Sequence, residues 1–446
     1  MGFVGYKHSC DGAVRLNSYP NSMNPRSRLN LPCLALLAVV LACGALSGGG
    51  SNALAAPPRV GETAHFWYRL APKEGPYIDT QRDNQAFGLG DGKIFLSEDN
   101  ARTWPHAADF PATKEINFSC ILGNGNIVFA TRNKLYLSTD KLKTYREIVV
   151  KDRDGRAYLP PPARNPEKAG FYFYSLDGVN TFEVGGKEML IWGNYCNVGT
   201  DPTPANVYYS IDGGETVKIA YAFGRNPSIQ YKDAEPASWL GAADNPVICR
   251  HIHSVSYNPA ENAFYACTGD LDRGHGHECH WLRGTYDARA DTWSWKVVVS
   301  SNANSRYKSG GINFVDGQVY WVADANGPKK PEEKYDRGIF RSHPADLARP
   351  DKHTKIFDAQ YEMAIMTIEG DVILAPEYGN ANPCDTGFII STDRGKTWGQ
   401  YDLKEFGDRS GTRVNKRNSE GWFRVDLRAR WVNRAEVLFI KPKPGK

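Results

Sequence analysis

The octet Ser391-Thr392-Asp393-Arg394-Gly395-Lys396-Thr397-Trp398 follows the apolar run Phe388-Ile389-Ile390, and three variants of it recur earlier in the chain. Ser97-Glu98-Asp99-Asn100-Ala101-Arg102-Thr103-Trp104 keeps all but the glycine. Ser210-Ile211-Asp212-Gly213-Gly214-Glu215-Thr216-Val217 loses only the tryptophan, and Ser138-Thr139-Asp140-Lys141-Leu142-Lys143-Thr144-Tyr145 diverges most. Each copy follows an apolar, strand-like run, the earlier three being Ile94-Phe95-Leu96, Leu135-Tyr136-Leu137 and Val207-Tyr208-Tyr209. The residue types are those of a tight hairpin turn. An Asp carboxylate accepts backbone N–H bonds within its own loop, glycine supplies a positive φ, and the final aromatic packs on a neighbouring sheet.

Composition agrees with a repeated all-β unit. The 446 residues are 12% aromatic, with 11 Trp and 23 Tyr among 43 Gly, and no long stretch carries a helical apolar repeat. Four copies of one turn along a single chain mark a repeat architecture. On these octets the chain resembles the sialidase-like Asp-box (BNR repeat) β-propeller superfamily. That resemblance implies an all-β, seven-bladed β-propeller with Asp-box turns, six blades being the alternative. It also implies that each octet lies between the third and fourth strands of a blade, away from the functional face, and is structural. Strands are then expected at 115–121, 126–131, 134–139 and 144–150, followed by 170–175, 189–194, 205–211 and 216–223. A histidine-rich blade reads 251–258, 263–268, 281–286 and 293–299, and two more occupy 310–358 and 361–403. An incomplete first blade falls at 75–110. The last blade combines 421–427 and 435–442 with an N-terminal strand near 64–70 that closes the ring.

The first 55 residues read as an export segment, and residues 56–446 as one propeller domain. Arg26 and Arg28 precede an apolar run from Leu31 to Leu46, and Ala53-Leu54-Ala55 offers a small-residue cleavage site. Val40-Leu41-Ala42-Cys43 also fits a lipoprotein site that would leave Cys43 as a lipid anchor. The expected location is therefore periplasmic, outer-membrane-anchored or extracellular. Six cysteines follow residue 55, which permits disulfides without fixing their connectivity; Cys279, between Glu278 and His280, is the one least suited to a structural bridge. From Asp408 to Lys446 there are eleven basic and four acidic residues, although the whole chain carries only +4. Trp422, Phe423, Trp431 and Leu438-Phe439-Ile440 read as strand material, so a folded segment with a cationic rim is expected, not a nucleic-acid-binding tail. The chain is expected to act as a monomer.

Chemistry concentrates elsewhere. Five of the ten histidines lie between His251 and His280, in Arg250-His251-Ile252-His253 and His275-Gly276-His277-Glu278-Cys279-His280. In a propeller, the loop entering an innermost strand and the loop joining the second to the third strand open on one face. His251 and His253 begin an innermost strand and 269–280 is a second-to-third loop, so the two groups are expected to meet. Residues i and i+2 of a strand project together. A hairpin turning around Pro259–Asn262 would set Thr268 opposite His253 and Asp270 opposite His251. Imidazole and thiolate donors at this density suit zinc, structural in preference to catalytic, with His251, His253, His277, Cys279 and His280 as the ligand set. In the metal-free version His251 or His253 is a general base, with Asp270 and Tyr195 as catalytic partners.

Loop positions bring further groups to that face. Tyr195, Asp324, Glu377 and Tyr378 open second-to-third loops, and Arg225, Arg250, Arg306, Lys308, Arg413 and Arg417 lie in or beside loops on the same side. Guanidinium forks suit a sugar carboxylate or sulfate, and Arg250, Arg306, Glu377 and Tyr378 are the expected substrate contacts. The expected partner is an acidic oligo- or polysaccharide. Sialidases add an Arg-Ile-Pro motif and a Tyr/Glu nucleophile, and neither has a counterpart here. Three readings follow: a sialidase-like glycosidase, a polysaccharide lyase acting on uronate chains by β-elimination, and a non-catalytic glycan-binding propeller with a structural zinc.

Overall fold

The computed structural model describes residues 59–70, 75–131, 133–158, 172–176, 178–196, 204–224, 241–269, 279–301, 306–324, 336–359, 363, 365–377, 387–402, 409–429 and 435–444. The export segment and Cys43 lie outside the described residues, as do Asp270, His275, His277, Tyr378, Arg225 and Cys384. Among the described residues no helix is long and apolar enough to cross a membrane.

These residues form seven antiparallel-built sheets of four or five strands, a seven-bladed β-propeller. Blade 1 is complete, contrary to expectation: Tyr77–Arg82, Gln85–Gly90, Lys93–Ser97 and His106–Asp109 run from the inside outward. Blade 2 begins at Phe118–Ile121 and blade 4 at His251–Asn258; blades 5 and 6 begin at Ile312–Val315 and Thr367–Glu369. The expected strand at 170–175 does not form in its described part, 172–175. Blade 3 starts instead at Asn180–Val184, because Gly185 and Gly186 both take positive φ and turn it tightly into Lys187–Gly193. Its outer strand, Val217–Ala222, carries a short parallel addition, Val150–Lys151.

Blade 7 closes the ring. Its inner strands Arg409–Asn415, Phe423–Ala429 and Ala435–Pro442 are joined by the N-terminal Phe66–Leu70 and then by Val60–Glu62. Inner and middle strands are packed on both faces by adjacent blades, so they read as continuous apolar runs. Ile127–Ala130, Asn206–Ser210, Val372–Pro376 and Gly387–Ser391 are buried at every position. The outermost strand Thr292–Ser301 is mostly exposed or half-buried. Each sheet face packs on the next; Ile252, Val255, Phe264 and Leu282 of blade 4 share one core with Met189, Ile191 and Val207 of blade 3.

The four octets fold alike. Asp99 Oδ1 accepts from Ser97 Oγ at 2.7 Å and from the Thr103 amide at 2.9 Å, while Oδ2 accepts from Thr103 Oγ1 at 2.6 Å. Asp393 repeats this with Ser391, the Thr397 amide and Thr397 Oγ1 at 2.8, 2.8 and 2.6 Å. Asp140 and Asp212 do the same. Partial burial pushes the Asp99 and Asp393 carboxyls up, but the Thr and Ser donors outweigh it and hold both at about 2. Gly395 and Gly214 take φ of +83° and +87°, and Ala101 and Leu142 adopt +62° and +65° at the same position. The Ser97 and Ser138 hydroxyls, which accept from the Ala101 and Leu142 amides at 3.0 Å, thus help hold even a non-glycine residue in the left-handed region, against a steric cost of roughly 1–2 kcal/mol. The closing aromatic reaches the preceding blade: Trp398 Nε1 donates to Ile356 O at 3.0 Å, and Tyr145 Oη to Asp109 O at 3.1 Å.

Candidate functional site

His251 and His253 stand at the start of the inner strand of blade 4, where the backbone is irregular. His251 pairs with Gly269 and Ile252 with Thr268, but Ser254 pairs with Cys267. His253 is the extra residue of a β-bulge. The bulge shifts the expected register by one: Thr268 faces Ile252, and Gly269 takes the place expected of Asp270 opposite His251. The hairpin itself turns where expected, with Asn258 paired to Ala263.

Blade 3 supplies the other half. Ile252 donates its amide to Asn194 O at 3.0 Å, and its side chain fills the space over Gly193, where a Cβ would lie 2.3 Å from Ile252 Cγ2. Only glycine lets the two blades approach so closely here. Asn194 bridges its own second-to-third loop, donating to Pro204 O at 2.9 Å and accepting from the Asn206 amide at 2.7 Å. That fixes Tyr195, whose ring stacks on His251 at 3.8 Å between centroids and meets His253 edge-on at 5.4 Å. His251 Nδ1 lies 3.2 Å from Cys196 O. A carbonyl only accepts, so Nδ1 carries the proton and Nε2 is the basic nitrogen of the neutral ring.

Blade 5 completes the cluster. Asp324 Oδ2 lies 3.3 Å from His253 Nδ1 and 3.9 Å from Lys308 Nζ. Two buried indoles fix the loop that carries Lys308. Trp281 Nε1 donates to Tyr307 O at 2.6 Å and Trp321 Nε1 to Arg306 O at 2.8 Å. The Asp324 amide then donates to Lys308 O at 2.7 Å. His253 and Lys308 are wholly buried, His251 is 2% exposed, and Tyr195 is half-buried. A buried ammonium and imidazole need a charged partner, and Asp324 serves both. Gly269 is again dictated by space, since a Cβ would come within 2.6 Å of His253 Nε2 and 2.8 Å of Lys308 Cγ.

The other expected residues distribute as follows. Arg250 is half-buried beside His251, and its carbonyl accepts from Cys196 Sγ at 3.1 Å. Arg306 is held by Asp336 and Pro350 O and stacks on Phe340 at 4.9 Å, so its guanidinium joins blade 5 to itself. Glu377 is 1% exposed and accepts from Gln400 Nε2 at 2.9 Å; burial pushes its carboxyl up, more than Gln400 lowers it. Cys279 is buried between blades 4 and 5 with Cys267. Burial raises the Cys267 thiol, but a hydrogen bond with Cys279 and the charge of His253 leave it lower than usual. His280, next along the strand, turns the other way, its Nδ1 2.9 Å from Ser300 Oγ. Among the described residues no group of three or more His, Cys, Asp or Glu side chains is arranged to hold a metal ion, and the five described cysteines are unbridged. The partnership of His253, Asp324 and Lys308 was not anticipated as a unit, though each residue sat at a loop position pointing to this face.

No family model and no curated protein sequence matches the chain. Among solved structures it is similar to YCF48 from Cyanidioschyzon merolae, with 14% identity and a TM-score of 0.45 over 84% of this chain and 98% of that one. It is also similar to an ancestral GH74 enzyme, with 11% identity and a TM-score of 0.49 over 86% and 51% of the two chains. The extracellular domain of BT3049 from B. thetaiotaomicron gives 14% identity and a TM-score of 0.46 over 83% and 39%. At these scores none of the three bears on function, and the fold rests on the strand pairing above.

Proposed function

We propose that the chain is an exported, single-domain propeller over residues 56–446 that acts on an acidic glycan at the mouth formed by blades 3, 4 and 5. The observation that carries this reading is the convergence of Tyr195, His251, His253, Asp324 and Lys308 from three blades at their loop-bearing ends. Tyr195 is the group that meets the sugar. His251 against its face and His253 at its edge fix the ring and place imidazole nitrogen beside it, as proton transfer needs. Arg250 is the cation for a sugar carboxylate.

Burial of the candidate carboxylates among the described residues favours β-elimination over hydrolysis. A glycosidase sets two accessible carboxyl groups about the scissile bond. Asp324 is 4% exposed and engaged by His253 and Lys308, and Glu377 is 1% exposed. In elimination, a base on the Tyr195–His251 pair takes the C5 proton of a uronate, the C4–O bond breaks as the C4–C5 double bond forms, and the pair returns that proton to the leaving oxygen. The test is a polysaccharide screen read both for unsaturated uronate absorbance and for new reducing ends. Unsaturated product is expected; reducing ends without it would establish hydrolysis and reject elimination.

The near-complete burial of both imidazoles supports a second reading, glycan binding without turnover, in which the cluster only shapes the mouth. Zinc belongs to the proposal as an ion that fastens the 270–278 segment. Of the expected ligand set His251, His253, Cys279 and His280 are described, and Cys279 lies beside the Cys267 thiol, a donor type that zinc prefers. Metal analysis of the purified protein is expected to find zinc, with Cys279→Ser abolishing its retention.

A further inference from the structure

The bulge at His253 has a counterpart in blade 1. The inner strand Tyr77–Arg82 shifts register between Ile78 and Thr80, so Asp79, third in its strand, is displaced as His253 is, third in its own. Asp79 is only 7% exposed. Its Oδ2 accepts from Ser119 Oγ, on the inner strand of blade 2, at 2.5 Å. Its carbonyl accepts from the wholly buried Arg424 of blade 7. Asp79 is thus tied to the blade on either side, just as His253 is tied to blade 5 through Asp324 and packed on blade 3 through Tyr195. Its second oxygen, Oδ1, receives no hydrogen bond from any described residue. Blades 1 and 4 stand three apart in a ring of seven, so the two bulges lie on facing walls of the axis.

We propose that Asp79 is a second contact point for the glycan and that it takes a hydroxyl of a neutral sugar. This rests on the glycan reading above. A carboxylate oxygen accepts an O–H bond and repels a uronate carboxylate, whereas the blade 3–5 wall offers Arg250 and imidazoles to an acidic residue. The two walls therefore select different residues of one chain. The substrate class that fits is a heteropolymer in which acidic and neutral sugars adjoin, in preference to a homopolymeric uronate.

The test is titration calorimetry of the full chain with two panels, alternating uronate–neutral oligosaccharides and homopolymeric uronate oligosaccharides. Wild type is expected to prefer the alternating panel. Asp79→Ala is expected to weaken that binding about tenfold, the scale of a hydrogen bond to a charged group, and to leave homopolymer binding unchanged or tighter. Ser119→Ala keeps the carboxylate while removing its tie, so it should lower the melting temperature and retain the preference. Unchanged alternating-panel binding by Asp79→Ala would overturn the proposal alone, as would Ser119→Ala matching the loss. Wild type binding neither panel would overturn the glycan reading, and this proposal with it.

Discussion

The octet turns and the mouth solve the same problem, satisfying a carboxylate, in opposite ways. Asp393 draws all its side-chain partners from residues 391–397 of its own octet. Asp324 draws its partners from His253 and Lys308, on two different blades. The local device is portable: it appears in blades 1, 2, 3 and 6 with distances that agree within a few tenths of an ångström. Non-local arrangements differ each time: Asp79 takes Ser119 of blade 2, Glu188 takes Arg82 of blade 1, and Asp291 takes Tyr209 and Lys218 of blade 3. What can be copied from blade to blade serves architecture, and what needs several blades at once is where a unique activity can reside.

Substitutions can break this division, and the largest effect is expected at the mouth. Tyr195→Phe should reduce unsaturated-product formation by about a hundredfold or more, the scale of one acid–base group, with an unchanged melting temperature. An active Tyr195→Phe enzyme would move the chemistry away from this ring. Gly269→Ala comes next, because its Cβ must displace His253 or Lys308. A loss of about 2 kcal/mol in chemical denaturation is expected, together with reduced activity. Asp393→Ala should cost about 1 kcal/mol and leave turnover untouched, and Asp99→Ala should behave alike. If either turn variant altered turnover at full stability, the separation of turn from site would fail.

The smallest effect is a pH dependence. Asp99 and Asp393 titrate at about 2 when folded, against an ordinary 3.8. A depressed folded value stabilises the native state above the unfolded value and is lost as pH falls toward the folded one. Melting temperature should therefore decline between pH 4 and pH 2, and the decline should be shallower in the Asp99→Ala/Asp393→Ala double variant. An identical decline in that variant would assign the acid sensitivity elsewhere.

The sequence made the turns legible because their spacing is the structure: Ser, Asp and Thr within seven positions close on themselves. It also brought Tyr195, His251 and His253 to one face, since loop order in a propeller decides which ends share a side. Other features were hidden for physical reasons. The bulge at His253 becomes visible only when the strand is counted against its partner, 263–269, because an extra residue leaves the apolar pattern after Ser254 intact. The role of Lys308 depends on Trp281 and Trp321, whose indole N–H groups hold the two preceding carbonyls from other strands. Arg306 and Lys308 are alike as cations in the sequence, yet one is held by Asp336 and the other by Asp324. The run 170–175 looked like a strand from its aromatics, but the glycine pair at 185–186 placed the hairpin later.

Phe66–Leu70 finds its hydrogen-bonding neighbour in Ala435–Pro442, more than three hundred residues downstream. During synthesis from the N-terminus the edge of that early segment facing Ala435–Pro442 must wait, its backbone polar groups unmatched, until the later strand has been made. Six blades can assemble in order, but the circle is completed by joining the two ends of the described fold. A nascent chain of this kind carries an open sheet margin while the six intervening blades are made, the period in which a holding chaperone would matter most.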